Sequence, residues 1–161
     1  MTQNITFRKM TEDEYNIWIE QSISDYAMSL ITSGQYSSEI EAKQQADKDF
    51  HSFLKDGLST PNHTLLVAEN VDGIPIGMIW YETGDPNRAF IADFVVYDEY
   101  RRMGYGTAIL AELERILIGK KPCIVLHVFE YNTAAINLYK KCGFVIAKSD
   151  NGSIYMEKFL K

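Results

Sequence analysis

The chain has 161 residues, 46% of them apolar and 24% charged, a length and composition that fit one globular domain over 1–161 with a real core and leave little room for two. Sixteen basic (16) against twenty-two acidic (22) side chains give a formal charge of −6, which argues against nucleic-acid binding and favours neutral or cationic small partners. No segment has the apolar run of a membrane span or a signal peptide, so the expectation is a soluble, cytoplasmic protein without a membrane partner.

ITFRKM reads as an opening strand, and Thr11 to Glu14 has the Ser/Thr-x-x-Glu form of a capping box that starts a helix. Tyr15, Ile19, Ile23, Tyr26 and Leu30 give that helix one apolar stripe, which runs down to Ser33-Gly34. Ser38 to Glu41 opens a second, more polar helix with the stripe Ile40, Phe50 and Leu54. TLLVAE and IPIGMIWYE follow as antiparallel strands joined across Val71-Asp72-Gly73, and AFIADFVVY continues the sheet. From Gly104 the period changes, and Ile109, Leu110, Leu113, Ile116 and Leu117 mark a helix that stops at Gly119. CIVLHVF is a nearly continuous apolar strand, of the sort buried on both faces. A last helix runs from Asn132 to Cys142, and FVIAKS and SIYMEKF close the chain across Asp150-Asn151-Gly152. The order β-α-α-β-β-β-α-β-α-β-β predicts an α/β (α+β) mixed sheet, in which Asp93 to Val128 forms a parallel strand, helix, strand unit with a right-handed crossover.

Cys123 and Cys142 belong to no CxxC or Cys/His cluster and read as free thiols. His51, His63 and His127 are scattered without ligand spacing and read as structural or solvated, so no metal is expected. The loop Arg101-Arg102-Met103-Gly104-Tyr105-Gly106-Thr107 carries the chemistry. Its glycines let backbone N–H groups at the start of a helix approach an anion, and its arginines suit phosphate oxygens. A diphosphate fits these features; glycines that only turn the chain beside solvated arginines are the alternative. Ile109 stands where a G-x-G-x-x-G fingerprint needs its third glycine, and the Gly-Lys-Ser/Thr ending of a Walker loop is missing.

The segment resembles the Arg/Gln-x-x-Gly-x-Gly/Ala signature of the GCN5-related N-acetyltransferases (GNAT), which transfer acetyl from acetyl-CoA to amines. LHVFEYNTAAINLYKKCGF resembles that family's second signature, and the element order is similar from first strand to last. The likeness is nearest to uncharacterised bacterial members, with Asp98-Glu99-Tyr100 where the family often has Pro-Glu-Tyr. It implies that Phe94, Val95 and Val96 pair with the pantetheine arm, that residues Arg101 to Thr107 cradle the pyrophosphate, and that an N–H near Val95 stabilises the oxyanion. It implies a coenzyme contact for Asn132, whose equal alternative is to cap its own helix. It further assigns Tyr139, two turns beyond Asn132, as the general acid for the departing thiolate, against the alternative of a core tyrosine. Tyr105 is left to touch the coenzyme or to cover the loop.

An acceptor amine is protonated near neutral pH and needs a proton acceptor. Strict alternation puts Asp93 on the face of Ile91 and Val95, and a carboxylate in an apolar strand needs a partner or a purpose. Glu82, at the end of the preceding strand, is the second candidate, and the alternative for either carboxylate is to bind the substrate ammonium or to pair with an arginine. The first reading is therefore acetyl transfer to a small-molecule or protein primary amine in a direct ternary complex; the second is a non-catalytic acyl-CoA-binding module. Trp18, Tyr15, Tyr26, Asp25, Glu20 and Tyr155 are candidates for the acceptor pocket, with ordinary helix packing as their alternative. Relatives commonly form homodimers, which makes a second copy a possible partner.

Overall fold

The computed structural model describes residues 3–161. Its strands are β1 (Thr6–Lys9), β2 (His63–Glu69), β3 (Pro75–Glu82), β4 (Ala89–Val96), β5 (Cys123–Phe129), β6 (Val145–Asp150) and β7 (Ser153–Phe159). The α-helices are α1 (Glu12–Thr32), α2 (Glu39–Phe53), α3 (Tyr105–Leu117) and α4 (Thr133–Lys141). One sheet in the order β1-β2-β3-β4-β5-β7-β6 holds all seven strands. Each neighbouring pair is antiparallel except β4 and β5, which the α3 crossover makes parallel.

Local chemistry sets the boundaries. Thr11 Oγ1 accepts from the Glu14 N–H at 3.2 Å while Glu14 Oε1 accepts from the Thr11 N–H at 2.9 Å, so the capping box is complete. At α2, Ser38 Oγ accepts from the Glu41 N–H at 3.3 Å. Asn151 and Gly152 both have positive φ, 49° and 82°, the backbone that a two-residue hairpin turn between β6 and β7 requires.

The sheet separates two cores. On one face α3 and α4 bury Ile109, Leu110, Leu113, Leu117 and Ile136 against Ile79, Ile91, Leu126 and Met156. On the other, α1 and α2 bury Ile23, Leu30, Ala42, Ala46 and Phe50 against Leu65, Val67, Met78 and Trp80. Each large aliphatic side chain so buried contributes roughly 1.5–3 kcal/mol.

Two expectations about these faces are corrected. Ile40 is 73% exposed, and the stripe that α2 buries is Ala42, Ala46 and Phe50, because small residues let the helix lie close to α1. β5 is not buried on both faces; Ile124, Leu126 and Val128 enter the core, while Val125, His127 and Phe129 stay partly exposed on the opposite side.

Candidate active site

β4 and β5 pair only over Ala89 to Ile91 against Ile124 to Leu126 and then part. Beyond Ile91, β4 keeps β3 as its neighbour and presents a free edge towards β5. The Tyr97 N–H donates to the Ile76 carbonyl at 2.9 Å, and antiparallel alternation turns the Val95 N–H the same way, into β3. The backbone groups left for a ligand are those of Val96 and Phe94, so the expected donor near Val95 moves by one residue. Phe94 N–H is itself engaged, donating to Asp93 Oδ1 at 2.9 Å. Gly77 lets β3 press against this stretch, since a β-carbon there would run into the Val95 carbonyl.

The glycine loop lies at the carboxyl end of β4. Gly104 is the N-cap of α3 with φ 87°, and no side chain caps that terminus, which leaves the first N–H groups of the helix open to an anion. Gly106 permits close packing, because a β-carbon would stand 3.0 Å from Leu138 Cδ2 and 3.6 Å from Phe94 Cζ. Arg101 folds back: its Nε donates to the Val96 carbonyl at 3.1 Å, and its Nη2 lies 3.2 Å from Asp98 Oδ1. Arg102, Met103 and Thr107 are exposed, with Arg102 at a φ of 64°. The Tyr105 side chain is buried in the core against Tyr100, so only its backbone N–H faces the loop. These residues form a cradle that suits a diphosphate.

Asn132 caps α4, its Oδ1 accepting from the Ala135 N–H at 3.2 Å. Tyr139 is buried between Phe94, 6.2 Å away by ring centroids, and Phe144 at 5.7 Å. Desolvation first, and the nearby Asp93 charge second, push its phenol above the usual value and keep it protonated. Its position beside Phe94 brings it to the place where the strands part.

Asp93 shares a face with Val95 but not with Ile91. A bulge sets Trp80 opposite Asp93 and Tyr81 opposite Ile91, so Ala92 is the extra residue and the alternation slips there. The carboxylate therefore points to α1, where Oδ2 accepts from Trp18 Nε1 at 3.0 Å and from Ser22 Oγ at 3.5 Å. Burial raises its pKa, and the Trp18, Phe94 N–H and Ser22 donors pull it back only in part. Glu82 sits at the end of β3 with Oε1 accepting from the Gly84 N–H at 2.6 Å.

On the α2 side of the parted strands lies a cavity of about 660 Å³. Tyr26 and Tyr155, of the acceptor candidates, line it together with Glu82; Tyr15 is buried in the core, Trp18 serves Asp93, and Glu20 and Asp25 are exposed. The sequence reading missed Asp49, Phe50, Trp80, His63 and His127 as lining residues. The signal for His127 was the period-two pattern of β5, which sets it opposite to Leu126 and Val128. Burial lowers the pKa of both histidines, and His63 Nδ1 accepts from Trp80 Nε1 at 2.9 Å, so both rings are neutral near pH 7. Among the described residues no group of three potential metal ligands assembles, and no helix is long and apolar enough to cross a membrane.

The class that this fold and cradle define is matched by comparison. The model of the Acetyltransferase (GNAT) family matches residues 26–144, and the chain belongs to that family. It is 30% identical over 146 residues to the uncharacterised N-acetyltransferase YdgE of Bacillus subtilis, covering 88% of this chain and 92% of that one. The solved structure of YycN, from the same organism, superposes with a TM-score of 0.84 at 28% identity, over 91% of this chain and 96% of that one. The PaiA N-acetyltransferase of Thermoplasma acidophilum, solved with coenzyme A, gives a TM-score of 0.71 at 23% identity over 97% and 99% of the two chains, a likeness of fold.

Proposed function

We propose that the protein transfers the acetyl group of acetyl-CoA to a primary amine by direct attack in a ternary complex. The observation that carries this reading is the parting of β4 and β5 after Ile91 beside the uncapped N-terminus of α3. A thioester arm laid along the free edge of β4 would pair with the Val96 N–H and the Phe94 carbonyl as an added strand, and its pyrophosphate would meet the N–H groups of residues 104–107. Arg102 adds charge at the loop, and Arg101 keeps the strand end closed on Asp98. Coenzyme A in the PaiA structure supports the same assignment by likeness of fold.

Acetyl-CoA supplies the activated acyl group; the chain supplies position and proton traffic. Asp93, oriented by Trp18 and Ser22 and made more basic by burial, takes the proton of the incoming ammonium through a bridging water. The amine nitrogen then forms the new C–N bond. The Val96 N–H stands on the free edge to meet the developing negative oxygen. As the C–S bond breaks, Tyr139 gives its proton to the sulfur, and the phenolate is reprotonated through solvent by the second proton that the new amide nitrogen sheds. Both cysteines lie outside this arrangement, Cys123 in the strand and Cys142 at the end of α4, which fits a route without an acyl-enzyme.

The test is coenzyme release from acetyl-CoA, followed with a thiol reagent over a panel of amines. Release that depends on both amine and enzyme, and that Tyr139→Phe abolishes while acetyl-CoA still binds, supports the reading. Binding without release for every amine would support a non-catalytic acyl-CoA module instead.

A further inference from the structure

The acceptor-side cavity has a wall of consecutive aromatic contacts. Ring centroids lie 5.8 Å apart for His63 and Trp80, 5.7 Å for Trp80 and Phe50, and 5.9 Å for Phe50 and Tyr26. The series continues from Tyr26 to Phe129 at 6.4 Å and from Phe129 to His127 at 4.8 Å. Two carboxylates interrupt this wall at different stations. Glu82 is the ladder partner of His63, and Asp49, on α2, is close enough to Tyr26 to oppose its ionisation.

Among the described residues neither carboxylate has a cationic partner within salt-bridge distance. Glu82 Oε1 accepts from a backbone N–H, and Asp49 Oδ1 accepts from Gln45 Nε2 at 2.7 Å. Among the described residues no lysine or arginine lines the cavity, and Lys148, 5.9 Å over the Tyr155 ring, lines the neighbouring one. The two histidines add no compensating charge, since His63 would have to give up the Trp80 bond to take a proton at Nδ1.

Partly desolvated negative charges without a counter-charge are costly, and aromatic faces attract cations. An acceptor carrying a carboxylate or phosphate would add like charge to this wall and be rejected. We infer that the acceptor is an amine with an apolar body and a second positive charge, Glu82 guiding the reacting ammonium and Asp49 holding the remote one. Glu82 suits the first role because its other ladder partner, Phe90, directly precedes the last paired residue of β4. This inference rests on reading the cavity as the acceptor side, and it makes Glu82 a positioning residue rather than the proton acceptor.

The test uses probes that cannot be acetylated. Bis-quaternary α,ω-alkanes, the matching mono-quaternary alkanes and the matching α,ω-dicarboxylates are titrated calorimetrically into the protein without coenzyme. The bis-quaternary series should bind about tenfold more tightly than the mono-quaternary series, with no dicarboxylate binding. Asp49→Asn and Glu82→Gln, which keep their acceptor oxygens for Gln45 and Gly84, should each bring the bis-quaternary affinity down to about the mono-quaternary level. Equal affinity for the two cationic series, no binding of the dication, or dicarboxylate binding would overturn the inference. Because no acetyl group moves, such a failure leaves the transfer reaction standing; conversely, dication binding in a protein that never releases coenzyme thiol would count against the reaction alone.

Discussion

The Trp18 indole N–H donates to Asp93 Oδ2 at 3.0 Å and so ties the first helix to the bulge of β4. The same indole packs edge-on against Trp80 at 5.5 Å, which joins the proton acceptor proposed for the reaction to the wall of the cavity proposed for the amine.

Trp18→Phe keeps most of the ring packing and removes the donor. A hydrogen bond to a carboxylate favours its charged form, so its loss raises the Asp93 pKa further. The acid limb of the pH profile of kcat/KM should therefore move to higher pH, with a stability loss of about 1–3 kcal/mol by urea unfolding. An unmoved acid limb would remove Asp93 from the proton path.

Tyr139→Phe should lower kcat by roughly 100- to 10,000-fold while leaving acetyl-CoA affinity nearly unchanged. The ring packing against Phe94 and Phe144 is kept, so stability should change by less than about 1 kcal/mol. Full activity in the variant would reduce Tyr139 to a core residue packed between Phe94 and Phe144.

Gly77→Ala should cost about 2 kcal/mol or more, because the new methyl meets the backbone Val95 carbonyl, which cannot move without shifting β4. Acetyl-CoA affinity should fall with it. Gly106→Ala should cost less, since the tip of Leu138 can yield. Thermal unfolding and coenzyme titration of the two variants check the order.

Acid should act in two steps. Burial holds the His63 and His127 pKa values below the usual 6.5, so their contribution to folding is complete above that pH and shrinks as pH falls through 6.5 to the lowered values. The Arg8 guanidinium, 2.8 Å from Glu14, lowers that carboxyl from 4.5 to about 2, so its contribution persists above 4.5 and is lost between there and about 2. Glu14 is part-exposed, which limits the second step to about 1 kcal/mol after screening. Glu14→Gln should flatten the stability curve below pH 4.5 and leave the histidine step in place.

Much of the fold was legible because local rules and tertiary packing agree. The Thr11 capping box, the change of period at Gly104 and the Asn151-Gly152 turn each name an element boundary that the structure keeps. The glycine loop was legible for the same reason, as its special backbone at Gly104 requires the residue that the sequence shows. What stayed hidden depends on partners distant in sequence. The Ala92 bulge, which turns Asp93 towards α1, arises from pairing with β3 and leaves no mark in AFIADFVVY. Ile40 follows helical spacing yet faces solvent, since α2 buries alanines instead. Asp49 and His127 come together only when α2 lies over the parted strands, and no local pattern joins them.

The most direct test of the account is calorimetric titration of acetyl-CoA into the wild-type protein, Gly104→Ala and Gly104→Glu, with thermal unfolding confirming that each is folded. Both variants carry the strain of a side chain at φ 87°, but only the glutamate puts negative charge where the diphosphate would lie. The account predicts wild-type binding, modestly weakened binding in Gly104→Ala and no detectable binding in Gly104→Glu. Failure of the wild-type protein to bind acetyl-CoA, or undiminished binding by a folded Gly104→Glu, would contradict it.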